Sequence, residues 1–141
     1  MNFVLDASVT MAWLLGDAKP ADRNYAHSVL NALKNPGTRA EVPVTWALEV
    51  ANVIARGESK RLINEAQSEA FLEMLSRAPV QPDHATFTTA LSDTLQLARR
   101  YRLSSYDASY LELALRNALP LATLDADLNR AARKAGVMRF V

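Results

Sequence analysis

Apolar positions along this chain alternate between two rhythms. Short unbroken runs read as buried strands, and stripes recurring every three or four residues read as helices with one face inward. The run Phe3-Val4-Leu5 is the first strand; it delivers Asp6 and Ser8 where a helical pattern over 8–15 takes over, closed by Gly16. A helix over 21–34 carries Tyr25, Val29, Ala32 and Leu33 on its stripe and stops at Asn35-Pro36-Gly37. The strand candidate 41–44 contains Pro43, which places it at an edge or a strand end. Thr45 opens a helix to Arg56, with Gly57 just past its end as a left-handed cap. A helix over 63–77 turns Ala66, Ala70, Phe71, Met74 and Leu75 inward and Glu65, Glu69 and Glu73 to solvent.

After an extended piece at 79–82, a long helix over 86–101 carries Phe87, Ala90, Leu91, Leu95 and Ala98 inward. Ser105 starts the next helix, to Asn117; 120–124 is a strand followed at once by Asp125; a helix over 127–135 ends on Gly136; and 137–141 is a terminal strand. Strands separated by one or two helices, with no hairpin signal, require right-handed crossovers. The pattern therefore predicts an α/β fold: a central parallel sheet of about five short strands, flanked by helices on both faces. One domain over 1–141 suffices for a chain of this length.

Composition narrows the chemistry. Half of the residues are hydrophobic and 22% are charged, as in a soluble globular domain. Cysteine is absent, which excludes disulfides and thiolate metal sites and fits a cytoplasmic protein. No apolar run reaches the roughly 18–20 residues of a membrane span, and the start lacks the basic segment of a signal peptide, so the mature chain is expected to begin at Met1. The net charge of +1 neither demands nor excludes a nucleic-acid partner. Basic residues cluster at three helix ends: Arg56, Lys60 and Arg61; Arg99, Arg100 and Arg102; Arg130, Arg133 and Lys134. They make a basic rim only if they share a face. Trp13, Trp46, Tyr106 and Tyr110 all fall on apolar stripes and are expected to pack in the core.

Four acids stand out by position. Glu49 shares the stripe of Trp46, Val50 and Val53, and Asp107 that of Tyr110, Leu111 and Ala114, so both carboxylates point where a core should be. Asp6 and Asp125 each follow a short strand and precede a helix, a position that also suits an N-cap. In open α/β sheets ligands bind outside the carboxyl ends of the strands, where the four acids can be collected. At an effective dielectric near 20, two charges about 4 Å apart repel by about 4 kcal/mol, so such a set calls for a neutralising partner. Oxygen-only ligands suit Mg²⁺ or Mn²⁺ better than zinc, and a water on such an ion can attack a phosphodiester. Ser8 and Asp127 are auxiliary candidates.

The segments Val4-Leu5-Asp6-Ala7-Ser8-Val9, Trp46-Ala47-Leu48-Glu49-Val50-Ala51-Asn52, Ser105-Tyr106-Asp107-Ala108 and Thr123-Leu124-Asp125-Ala126-Asp127 resemble, in order and spacing, the PIN-domain ribonucleases, specifically the VapC-type toxins of toxin-antitoxin pairs. The resemblance implies a PIN-like fold in which Asp6, Glu49, Asp107 and Asp125 bind Mg²⁺ or Mn²⁺ for RNA cleavage. It further implies a homodimer and a cognate antitoxin of the VapB type, whose C-terminal segment blocks the site.

Other readings are weaker. His27 and His84 offer no acid-base pair, no Gly-rich phosphate loop is present, and a phosphatase of the haloacid dehalogenase type would need a second Asp where Ser8 stands. The alternative from another class is a non-catalytic module of the same fold that binds RNA or protein and uses the acids for a structural cation.

Overall fold

A computed structural model describes all residues, 1–141. Four parallel strands, β1 (Asn2–Leu5), β2 (Arg39–Val42), β3 (Val80–Pro82) and β4 (Leu121–Ala122), form one sheet in the order β3-β2-β1-β4. The chain thus runs outward from β1 through β2 to β3 and returns to the other side of β1 as β4. That reversal makes the carboxyl ends of β1 and β4 the switch point of the sheet, where a crevice opens because successive connections leave in opposite directions.

Strands β1 and β4 are the buried ones of the sheet. In β1 the period-two alternation sends Phe3 and Leu5 to one side, with Val9, Ala26, Val29, Ala40 and Phe140. Val4 goes to the other, with Tyr110, Leu111, Leu113, Leu121 and Leu128. Phe3, Val4 and Leu5 are fully buried, each contributing about 1.5–3 kcal/mol. A third cluster joins Ala7, Met11, Val50, Ile54 and Phe71. It packs α1 (Ala7–Ala12) against α3 (Thr45–Ser59) and α4 (Glu65–Arg77). Helix α2 (Pro20–Ala32) covers the Phe3 side, while α7 (Ser105–Asn117) and α8 (Ala126–Lys134) cover the Val4 side.

Several expectations are corrected. The sheet has four strands, not about five. Residues 137–141 meet β4 through one bridge, Leu121 to Arg139, with the Leu121 and Phe140 N–H groups donating to the Met138 and Leu121 carbonyls at 2.9 and 3.0 Å. A ladder needs consecutive pairs, and β4 offers only two residues. Helix α3 runs through Gly57 to Ser59, and the left-handed position is Arg61 (φ 58°). The glycine has another use: a Cβ there would stand 3.1 Å from Ile63 Cδ1.

The segment 86–101 is not one regular helix. Between α5 (Thr86–Thr89) and α6 (Leu95–Tyr101) lies a π-helical turn over Ala90–Thr94. The wider turn takes up about one extra residue, rotating the expected stripe by about 100°. Phe87 and Leu91 are consequently 89% exposed, and Thr86 and Thr94 are the buried positions. In α4, Ala66 and Ala70 are likewise exposed and Ser68 is buried, while Glu65, Glu69 and Glu73 face solvent as expected. Tyr106 is 62% exposed, whereas Tyr110 is fully buried.

Candidate active site

Pairing of β1 with β4 places Leu5 beside Ala122, so the next residues on each strand, Asp6 and Thr123, lie side by side at the switch point. The Asp6 N–H donates to the Ala122 carbonyl at 2.9 Å, extending the ladder one step beyond the strand. Asp6 is 3% exposed. It stands at the N-cap of α1 yet makes no cap bond. Instead its Oδ2 accepts from Ser8 Oγ (2.5 Å) and from Thr123 Oγ1 (2.7 Å). Ser8 Oγ also accepts from the Leu124 N–H at 3.0 Å, and Thr123 Oγ1 from the Asp125 N–H at 3.0 Å. Two hydroxyls thus tie the carboxylate after β1 to the loop after β4.

Asp125 N-caps α8, its Oδ1 accepting from the Leu128 N–H at 2.8 Å. The capping role that its position suited is therefore real, and it commits one carboxylate oxygen. Glu49, half-buried on the second turn of α3, accepts from the Tyr110 hydroxyl at 2.7 Å. Asp107 occupies the first turn of α7, where its N–H donates to the N-cap Ser104 Oγ at 3.0 Å. The helix therefore starts at Ser105, as expected, with Ser104 as its cap.

Charge effects link Asp6, Glu49 and Asp107 to one another and to Asp125. Burial pushes the Asp6 carboxyl above the usual range; the bonds from Ser8 and Thr123 oppose this and the charge of Asp125 adds to it. Glu49 is raised by burial against the bond from Tyr110, with further contributions from Asp6 and Asp107. Asp107 is pushed up to about 6 by burial and by the charges of Asp125 and Asp6. The Tyr110 hydroxyl, buried and facing Asp6 and Glu49, is held as a neutral donor well above the usual phenol range. Each acid that titrates abnormally does so partly because of another member of the set.

The side chains nevertheless do not gather into a group of three or more that could hold an ion as they stand. Single oxygens of Asp6, Glu49 and Asp125 are engaged by hydroxyls or by the α8 cap. The donor set itself fits a hard dication, being all carboxylate oxygen. Asp127 lies outside the group. It is largely exposed and pairs with Arg130 at 2.9 Å, acting on Asp107 only as the weakest of the charges that reach it. His27 and His84 are exposed, on α2 and between β3 and α5.

Sequence reading missed Thr123 and the role of Tyr110. For Thr123 a signal existed, since a hydroxyl residue directly after a strand whose neighbour ends in Asp6 faces that carboxylate. For Tyr110 none did, because an apolar stripe looks the same whether or not its hydroxyl meets an acid. An apolar depression of about 570 Å³, lined in part by Met1, Pro120, Met138 and Val141, lies at the amino ends of β1 and β4, away from the acids.

Comparison with known proteins places the chain in a family. The PIN domain model matches residues 3–134, and the chain belongs to that family, whose members are generally nucleases that use divalent metal ions. No curated protein matches the sequence. Among solved structures, PAE2754 from Pyrobaculum aerophilum superposes with a TM-score of 0.69 at 23% identity, covering 99% of this chain and 83% of its own. FitAcB from Neisseria gonorrhoeae superposes with a TM-score of 0.61 at 18% identity, covering 100% and 97%. These likenesses are of fold.

Proposed function

We propose that the chain acts as a single PIN domain over 1–141 that hydrolyses RNA phosphodiester bonds internally with Mg²⁺ or Mn²⁺. In this reading it is the VapC-type toxin of a toxin-antitoxin pair, working in the cytoplasm as a homodimer and restrained by a VapB-type antitoxin. The observation that carries the nuclease reading is the electrostatic coupling of Asp6, Glu49, Asp107 and Asp125 at the switch point of the sheet. The sequence resemblance supports the toxin assignment. No helix is long and apolar enough to cross a membrane.

Asp6, Glu49, Asp107 and Asp125 would hold the ion, which when bound supplies charge neutralisation at the phosphate and an activated water. The remaining work is done by the protein. Ser8 and Thr123 fix Asp6 Oδ2 from two sides, so this carboxylate is oriented before any ligand arrives. Tyr110 aims Glu49 from the core and stays protonated while doing so. Asp107 shares its carboxyl proton near neutrality and gives it up when a cation joins the group.

Incubation of labelled RNA with the purified protein tests the reading. Cleavage should require Mg²⁺ or Mn²⁺, stop with EDTA, and fall at least 100-fold in Asp6→Asn and Asp107→Asn, as removal of a transition-state charge contact does. Equal cleavage by parent and variants would place the activity elsewhere, and a pure, metal-loaded protein that binds RNA without cutting it would favour the non-catalytic module.

A further inference from the structure

Two of the three basic clusters share a face. Arg100, Tyr101 and Arg102, at the end of α6, line a cleft of about 410 Å³ together with Asp127, Arg130 and Lys134 of α8. Arg61, from the third cluster, lines a different depression beside Glu58 and Glu65. The cleft faces four cations with one carboxylate, and that carboxylate is already paired to Arg130. Arg100, Arg102 and Lys134 make no ion pair; Arg100 lies over the Tyr101 ring, 5.6 Å from its centre.

Solvation of helix ends does not account for this arrangement. A cation in the last turn complements the helix dipole, which covers Arg100 and Lys134 but neither Arg130, in the middle of α8, nor Arg102, beyond the end of α6. Arg102 adopts the left-handed conformation (φ 55°), a position where glycine carries no penalty. On α8 the cleft residues Asp127, Arg130 and Lys134 fall at i, i+3 and i+7, one face of the helix that Asp125 caps. Along that face the charge passes from acid to base over about 10 Å, at 1.5 Å per residue.

We propose that this cleft binds the phosphate backbone of single-stranded RNA beside the bond to be cut, so that α8 leads the strand from its cationic flank to the acids at its start. The proposal rests on the nuclease reading and adds the residues that hold the substrate. Cations from two helices and an adjacent aromatic ring are the elements by which single strands are bound without reading sequence.

Fluorescence anisotropy of a labelled single-stranded RNA, in EDTA so that no cleavage occurs, tests it across about 50 to 200 mM salt. Each phosphate neutralised contributes a slope of about 0.7 in log affinity against log salt, so Arg102→Gln with Lys134→Gln should flatten the slope by about 1.4. Arg102→Lys with Lys134→Arg should restore it, and the α2 control, Arg23→Gln on that helix with Lys34→Gln just past its end, should leave it unchanged. An unfolding midpoint equal to the parent's assigns the loss to charge. A parent that does not bind RNA, a slope unmoved by the cleft variants, or an equal loss in the α2 control overturns the proposal. Metal-dependent cleavage with an unmoved slope sinks the cleft alone; cleft-dependent binding without metal-dependent cleavage sinks the nuclease reading alone.

Discussion

Asp6 is nearly as buried as the leucine before it, and two hydroxyls donate to its carboxyl. Thr123 Oγ1 both donates to Asp6 and accepts from the Asp125 N–H, joining two of the four acids through one atom. Thr123→Val keeps the shape and removes both bonds. Asp6 Oδ2 keeps the Ser8 bond, but the Asp125 N–H loses its acceptor. A polar group left unmatched costs about 1–3 kcal/mol, so the unfolding free energy from urea denaturation should fall by about that amount. Its Mn²⁺ affinity, measured by titration calorimetry, should fall about 10- to 100-fold, the usual loss when a ligand loses its orienting partner. An unchanged affinity would reduce Thr123 to packing.

At the level of elements, the fold depends on a second polar link, far from the acids. Glu112 on α7 is 4% exposed and is held by Arg116 at 2.7 Å, while the same guanidinium bonds Asp83, just past β3, at 2.7 and 3.1 Å. The paired carboxylates hold the Arg116 guanidinium firmly charged, and Arg116 in turn holds Asp83 below the usual carboxylate range. Arg116→Met strands Glu112 in the interior. The expected cost is about 3 kcal/mol in urea unfolding, and Arg116→Met with Glu112→Met should recover most of it. Failure of the double variant to recover would show that packing, not the ion pair, is what Arg116 supplies.

The elements also show what a sequence can carry. Strand-to-helix alternation was legible because β1 and β4 are buried on both sides and α7 keeps a regular stripe. The candidate acids were legible because carboxylates on inward positions are rare. Three things were hidden. The π turn at Ala90–Thr94 leaves no mark in the apolar period except the error it causes, exposing Phe87 and Leu91. The fate of residues 137–141 depended on the length of β4, a property of its partner. The sharing of a cleft by Arg102 and Lys134 depended on how α6 and α8 pack, which no local pattern encodes.

For the whole molecule, grouping acids at a switch point exchanges stability for a site. Asp107, Asp6 and Glu49 all have folded-state pKa values above their ordinary ones. A raised carboxyl stabilises the fold fully below the unfolded pKa near 4, and that contribution is lost as pH rises through the folded value. Metal-free protein should therefore lose stability between about pH 4 and pH 7, with Asp107 accounting for about 1–2 kcal/mol after allowance for solvent screening. Asp83 has the opposite sign, since its depressed pKa gives a contribution present above the unfolded value and lost as pH falls further. Urea midpoints across this range should decline in EDTA and flatten with Mn²⁺. Asp107→Asn in EDTA should be no less stable than the parent at pH 7; a clear loss there would mean Asp107 serves as a structural cap of α7.

The central claim is that four carboxylates on four separate segments make one centre that a divalent cation completes. Calorimetric titration with Mn²⁺ at pH 6, in buffers of different ionisation enthalpy, measures this directly, because the heats report both binding and protons released. The account predicts binding by the parent with proton release that shrinks toward pH 7.5. It also predicts affinity at least tenfold weaker in Asp6→Asn, and release largely abolished in Asp107→Asn. Equal Mn²⁺ affinity in parent and Asp6→Asn, or binding without proton release at pH 6, would contradict it.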